Sequence, residues 1–419
     1  MSSAQQRLSS IAGHLSGVSP AKQRLLAKNP DDVVITLAVR TPLTKAKKGG
    51  LKDTQLDDLL ISLLTTVREK SHLDPNLVED VCLGNVLHPS AAYVARSAVL
   101  AAGFPETTAA SVANRFCSSG LLAIQQIANQ IIAGSIDIGI AVGAESMSTN
   151  ADNGAPAFSQ QILAHPLASQ NLQPMGQTSE NVAAQFNISR RAHDEFAARS
   201  FQKAERAQKA GWFDEEIVPV RTKVKDPKTG EVKDIVVDRD DGIRYGTTVE
   251  SLSKIRPAFP QWPPSSTTGG NASQITDGAA AVVLMKRSRA LELGQPILGK
   301  FGGATVVGLE PRIMGIGPSI AIPKILAKTG LTKEEVDIFE INEAFASMGV
   351  YCVQKLGLDE SKVNPRGGAI AIGHPLGCTG TRQVVTALAE LRRQNKRIAV
   401  TSMCVGTGMG MAGIFVSEH

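Results

Sequence analysis

The 419-residue chain predicts an α/β fold made of two duplicated halves with one long insertion, on three observations. Short aliphatic runs alternate with helical stretches from residue 31 onward, the pattern of mainly parallel sheets covered by helices on both faces. Cys117 lies 32 residues after Asn85, and His374 likewise lies 32 residues after Asn342. Each stretch starts on a polar residue at the end of a second strand and closes on a reactive one at the end of a third, the mark of an internal repeat. The strand that closes the second half at once is delayed in the first half by about 130 residues.

In order, strands are expected at 32–39, 81–86, 109–113 and 136–142, with helices at 56–67 and 121–133 between them. The second half repeats this with strands at 299–307, 336–341, 369–372 and 398–403 and helices at 320–328, 345–356 and 381–393. A last hairpin joins 398–403 to 411–416 through the Gly-rich run 406–410, and the matching first-half strand is 279–285. The chain therefore divides into an N-terminal segment (1–30), a first half (31–145 plus 271–290), an insertion (146–270) and a second half (291–419). Equivalent strand ends of such halves converge on one crevice. The insertion is polar and rich in Pro, Gly and charge, holds Trp212 and Trp262, and is expected to cap that crevice. Its run 222–241 is densely charged and reads as a solvated excursion.

Composition narrows the function classes. With 42% hydrophobic and 20% charged residues, extensive disorder is excluded. Aromatics at 4% beside 38 glycines favour close backbone approach over a base-stacking surface, so no nucleic-acid partner is expected. No apolar run reaches the ~18 residues of a membrane span, and a soluble protein is expected. The odd set Cys82, Cys117, Cys352, Cys378 and Cys404 lacks metal-type pairing and points to reduced thiols in an intracellular setting.

Cys117, in N-R-F-C-S-S-G-L-L-A-I, falls between a strand and a helix start, where backbone N–H groups and the helix dipole favour a thiolate. A lone buried Cys is often inert. Against that stands His374 at the corresponding end in the other half. It sits in G-G-A-I-A-I-G-H-P-L-G-C-T-G, framed by glycines and Pro375, and a histidine facing a cysteine can activate it. The histidines at 72, 88, 165, 193 and 419 lack such a frame and read as surface or loop residues. Cys404, in S-M-C-V-G-T-G-M-G, can move protons as a second thiol, and Gly406 can offer an oxyanion-hole N–H. Cys378 is the rival thiol near a helix start, while Cys82 and Cys352 fall in apolar patterns and read as core.

Residues 1–30 carry Arg7, Lys22, Arg24 and Lys28 without an acid. Within R-L-S-S-I-A-G-H-L, residues Leu8, Ile11 and Leu15 would form one helical stripe suited to a receptor groove. A frayed tail or a mitochondrial transit peptide are the alternatives. Arg7, Leu8, His14 and Leu15 match the basic–aliphatic, five-spacer, His–Leu pattern, and the stretch resembles an N-terminal peroxisomal targeting signal read by an import receptor.

The segments N-R-F-C-S-S-G, I-N-E-A-F-A, N-P-R-G-G-A-I-A-I-G-H-P-L-G and C-V-G-T-G-M-G, in this order, resemble the thiolase family from about residue 32 to 418. The resemblance implies a five-layered αβαβα core with a CoA-binding loop domain, a homodimer, and no metal or permanently bound cofactor, CoA being a co-substrate. It implies that Cys117 is the acylated nucleophile, His374 its activator and Cys404 the second acid/base. Asn342 would hold a water that, with the His374 side chain, forms one oxyanion hole, and the N–H groups of Cys117 and Gly406 would form the other. By the same resemblance Arg244, Ser251 and Ser273 contact CoA, and Met175, Met314, Ala344 and Phe345 line the pantetheine tunnel. Biosynthetic members usually have His where this chain has Pro174, which favours thiolytic degradation of 3-ketoacyl-CoA over acetoacetyl-CoA synthesis. A decarboxylating synthase would show a second His in place of Asn342, and a non-catalytic acyl-CoA carrier would need none of the four reactive side chains.

Overall fold

The computed structural model describes residues 19–419, so the targeting pattern at Arg7, Leu8, His14 and Leu15 lies outside the described residues. The strands are β1 (Val33–Arg40), β2 (Thr44–Lys45), β3 (Asp80–Gly84), β4 (Ala109–Ala113), β5 (Ile138–Ser146), β6 (Val220–Lys225), β7 (Val232–Val237), β8 (Thr276–Lys286), β9 (Gly299–Gly308), β10 (Ile338–Ile341), β11 (Ile398–Val405) and β12 (Met409–Ser417). Their order, β10-β11-β12-β9-β1-β8-β5-β3-β4, contains the duplication. In the first half β1 and β8 are antiparallel, β8 and β5 antiparallel, and β5, β3 and β4 parallel. In the second half β9–β12 and β12–β11 are antiparallel and β11–β10 parallel. The counterpart of β4 is reduced to one parallel bridge between Phe339 and Val363. Only two residue pairs, Val34–Lys300 and Ile35–Gly299, tie β1 to β9 and so join the halves.

Alternation along the strands builds the layers, because successive side chains point to opposite faces. On β8, Ala279, Ala281, Val283 and Met285 pack outward with Leu59, Leu63 and Val99 of the helices Leu56–Ser71 and Ala91–Ala101. Ala280, Val282 and Leu284 face inward, into a core shared with Ile124 and Ile127 of helix Ser119–Ala133 and with Val384 and Leu388 of helix Thr379–Arg393. Met403, Met411 and Phe415 of the second half close that same core from the other side. Beyond them, helices Gly317–Thr329 and Ala346–Leu356 cover the outer face of the second half. The result is helix, sheet, helix pair, sheet, helix, as expected.

Residues 369–372, expected as a strand, form a short helix instead. All four side chains are buried, so their apolar run carries no period that separates strand from helix. Gly373 ends the turn at φ +103°, open to glycine but not to a side chain.

The chain leaves the first half after β5 and returns at β8. Between them lie helices Met175–Gln185, Arg190–Lys209 and Val249–Ser253 and the β6–β7 hairpin. The hairpin is largely solvated, as its charge predicts, but the run does not stay so: Asp240 is buried and pairs with Arg40 of β1 (2.7 Å). Arg40 also meets Glu216 (2.6 Å), and Glu216 meets Arg366 (3.2 Å), which meets Glu390 (2.7 Å). One buried network thus joins first half, insertion and second half. Each charge has oppositely charged partners, which such burial demands. His193, expected at the surface, is buried in helix Arg190–Lys209, and burial lowers its pKa.

Candidate active site

Cys117 ends the turn that follows β4. Phe116 before it adopts φ +44°, a rare conformation for a bulky residue. The turn is held by Asn114 Oδ1, which accepts from Phe116 N–H (3.0 Å), and by Ser119, whose hydroxyl accepts from Arg115 N–H (2.9 Å) and donates to Phe116 O (2.7 Å). Two glycines let the equivalent helix ends meet. A Cβ on Gly120 would lie 2.7 Å from Gly377 O, and one on Gly380 would lie 2.3 Å from Leu121 N, both impossible contacts. Helices Ser119–Ala133 and Thr379–Arg393 therefore cross at their N-termini, three residues beyond Cys117 and at the turn that follows His374.

His374 is anchored by its backbone N–H, which reaches Gln274 O and Thr276 Oγ1 (both 3.1 Å). Its ring touches two partners. Nδ1 is 2.6 Å from Thr379 Oγ1, and Nε2 is 3.3 Å from Asn342 Nδ2. Thr379 Oγ1 also lies 3.0 Å from Pro375 O, a carbonyl that can only accept. The hydroxyl proton is directed there, so Nδ1–H donates to Oγ1 and Nε2 keeps its lone pair; this tautomer is assigned from the network. Burial, and then the charge of Arg382, lower the His374 pKa to about 3. The ring is neutral at ordinary pH and ready to accept a proton at Nε2.

The thiols depart from the expected electrostatics. A helix start alone does not make Cys117 a thiolate: burial pushes it up to about 11, against hydrogen bonds from Gly406 N–H and its own N–H that act the other way. Activation thus requires a base. Both N–H groups thus lie beside the reacting sulfur, where donors for an oxyanion hole are needed. Cys404 is 1% exposed, and burial, then Cys117, raise its pKa well above the ordinary value, so it is a protonated thiol. Cys378 is fully buried in the core between the halves, and Cys82 and Cys352 are core residues as expected.

Cys117 opens on a cavity of about 680 Å³ lined also by Leu87, Phe158, Met175, Leu376 and Gly406, with residues of the insertion on one wall. The four residues expected to share a tunnel divide in two. Met175 faces this cavity, whereas Met314, Ala344 and Phe345 gather with Met348 around Cys404. Ser273 N–H donates to Ala344 O (2.9 Å) and so belongs to the second group. Arg244 and Ser251 sit on the exposed rim of the insertion. Arg244 bonds Gly269 O (2.9 Å) and lies over the Phe201 ring. The Ser251 hydroxyl is already engaged in the capping box of helix Val249–Ser253, which restricts it as a ligand contact. Thr379 and the buried Glu145 were missed in the sequence, although the Thr five residues after His374 was a readable signal. Among the described residues, no group of three or more His, Cys, Asp or Glu side chains is placed to hold a metal, and no helix is long and apolar enough to cross a membrane.

A duplicated α/β core that sets a neutral His374 beside Asn342, and Cys117 with the Gly406 N–H near a second thiol, Cys404, fits an acyl-transferring thiol enzyme. Family models for "Thiolase, N-terminal domain" and "Thiolase, C-terminal domain" match residues 33–288 and 295–417, and the chain belongs to the thiolase family. It is 53% identical over 416 residues to the peroxisomal 3-ketoacyl-CoA thiolase of Yarrowia lipolytica, covering 98% of this chain and 100% of that one. Among solved structures, the dimeric peroxisomal thiolase of Saccharomyces cerevisiae is 49% identical with a TM-score of 0.87, covering 95% of this chain and all of the other. A second structure of peroxisomal 3-ketoacyl-CoA thiolase from that yeast, described as five-layered and built from two core domains of identical topology, aligns with a TM-score of 0.76 at 44% identity, over 94% and 100% of the two chains.

Proposed function

We propose that the protein is a 3-ketoacyl-CoA thiolase of fatty-acid β-oxidation, cleaving 3-ketoacyl-CoA with CoA into acetyl-CoA and a shortened acyl-CoA. Identity near 50% over nearly the whole chain supports this. The single observation that carries the chemistry is the neutral His374, its Nε2 lone pair held beside Asn342.

The steps follow from the protonation states. His374 Nε2 takes the Cys117 proton, and the thiolate attacks the 3-keto carbon while the N–H groups of Cys117 and Gly406 hold the alkoxide. The carbon–carbon bond breaks toward the enolate of acetyl-CoA, stabilised by the protonated His374 and a water held by Asn342, and Cys404 supplies the proton to carbon. CoA then gives its thiol proton to the Cys404 thiolate and attacks the acyl group. The departing Cys117 sulfur recovers its proton from His374. The CoA contacts assigned to Arg244 and Ser273 fit this reading, with Met175 on the Cys117 side and Met314, Ala344 and Phe345 behind Cys404; Ser251 contributes through its helix cap.

The relatives' peroxisomal names and the pattern at Arg7, Leu8, His14 and Leu15 support a peroxisomal address read by an import receptor, and the dimeric yeast relative supports a homodimer. Replacing Arg7 or His14 should leave active enzyme in the cytosol; unchanged import would refute the address. A chain-length series of 3-ketoacyl-CoA substrates with free CoA tests the activity, and no cleavage of any member would sink it.

A further inference from the structure

Glu145, at the end of β5, is fully buried and takes no part in the steps above. Its carboxylate is used completely. Oε1 accepts from Asn85 Nδ2 (3.0 Å) and Leu87 N–H (3.1 Å), and Oε2 from Val86 N–H (3.1 Å) and Gly377 N–H (2.9 Å). Three of these donors come from the loop after β3, and the fourth from the turn that carries His374 in the other half. Val86, Leu87 and Leu376, borne on these same two segments, line the cavity on which Cys117 opens.

Burial pushes the Glu145 carboxyl up to about 7, against the hydrogen bonds from Leu87, Gly377 and Val86 N–H and from Asn85, and with four N–H donors on its two oxygens the ionised form is the one that satisfies every contact. A carboxylate also costs the site something: its charge opposes ionisation of Cys117, as does that of Asp152, and it faces Cys378, near which lie Arg382, Arg40 and Asp240. A residue kept only for packing would not need a charge beside the nucleophile. We propose that Glu145 is a positioning residue for thiolysis, clamping the His374 turn of the second half to the 85–87 loop of the first and so fixing the imidazole relative to Cys117.

The inference rests on the thiolase reading, so wild type is assayed alongside; inactive wild type would defeat that reading, not this one. Glu145→Gln puts an NH2 group where two donors need an acceptor. Its kcat should fall about 10- to 100-fold, the cost of ångström-scale misplacement, with KM for CoA within about threefold of wild type. Alkylation of Cys117 by iodoacetamide at the same pH should slow along with kcat, because the displaced His374 is the base that takes the thiol proton. Raising the pH toward the thiol's own value of about 11 should close the alkylation gap to wild type, since an ionised thiol needs no base, a recovery that mere loss of folded protein does not give. A kcat within about twofold of wild type, or an alkylation rate that stays at the wild-type value while turnover falls, overturns the proposal. Should Glu145→Gln fail to fold, Asn85→Ala decides, because it removes one donor and leaves the carboxylate: reduced kcat at unchanged melting temperature supports the clamp, and wild-type kcat overturns it.

Discussion

Thr379 Oγ1 stands 2.6 Å from His374 Nδ1 and, by donating its own proton to Pro375 O, determines which imidazole nitrogen is left to act as base. Thr379→Val keeps the shape and removes the acceptor, so the Nδ1 proton loses its partner and the tautomer is no longer fixed. Steady-state thiolysis should show kcat reduced on the order of 10-fold or more, and Thr379→Ser should restore most of it. Equal activity of the Val variant would mean that the hydroxyl only packs.

Cys404 is a different case, a thiol kept protonated by burial beside Met314, Ala344 and Met348. Cys404→Ala should lower kcat by roughly 10²- to 10⁴-fold, the range for losing a general acid, while Cys117 remains open to alkylation. Mass spectrometry of the alkylated protein distinguishes this from collapse of the site.

The buried network predicts a stability effect in place of a chemical one. Glu216 accepts from Arg40, Arg366 and Thr386 at once. Glu216→Gln leaves the Arg40 and Arg366 charges short of a buried counter-charge, at a cost of about 3–5 kcal/mol. Urea unfolding should show the midpoint falling by a corresponding amount.

The His374 pKa fixes a pH dependence. Its folded value of about 3 lies below the ordinary 6.5, so between those pH values the unfolded chain binds the extra proton. Stability contributed by the neutral ring is therefore present above about pH 6.5 and is lost as pH falls toward 3. The unfolding free energy of wild type relative to His374→Gln should rise across that window and be flat above it. A difference independent of pH would show that the ring is not buried neutral.

Much of this was legible in the sequence for local reasons. The strand at 279–285 is apolar at every position because both faces are covered, and it appears as expected within β8. The equal spacing of Asn85–Cys117 and Asn342–His374 pointed to the duplication that the strand order repeats, although His374 follows the short helix Ala369–Ile372 and not a strand end. What stayed hidden depends on partners far along the chain. Residues 369–372 could not be told from a strand because burial erases the period. His193 looked solvated because nothing in R-A-H-D-E reports that helix Ala346–Leu356 packs against its face; Phe196, one turn on, touches Gly349 there. Glu145 reads as one acid in A-E-S-M-S, and its role rests on Gly377, 232 residues away. The expected Cys117 thiolate failed because a helix terminus contributes at most ~2 kcal/mol, less than full burial of a thiolate costs.

The most direct test is to incubate the protein with a 3-ketoacyl-CoA without free CoA and identify the acylated residue by peptide mass spectrometry. The thiolase mechanism predicts release of about one equivalent of acetyl-CoA and a chain-shortened acyl group on Cys117, discharged when CoA is added. Cleavage with no acyl-enzyme, or an acyl group carried on Cys378 or Cys404, would contradict it.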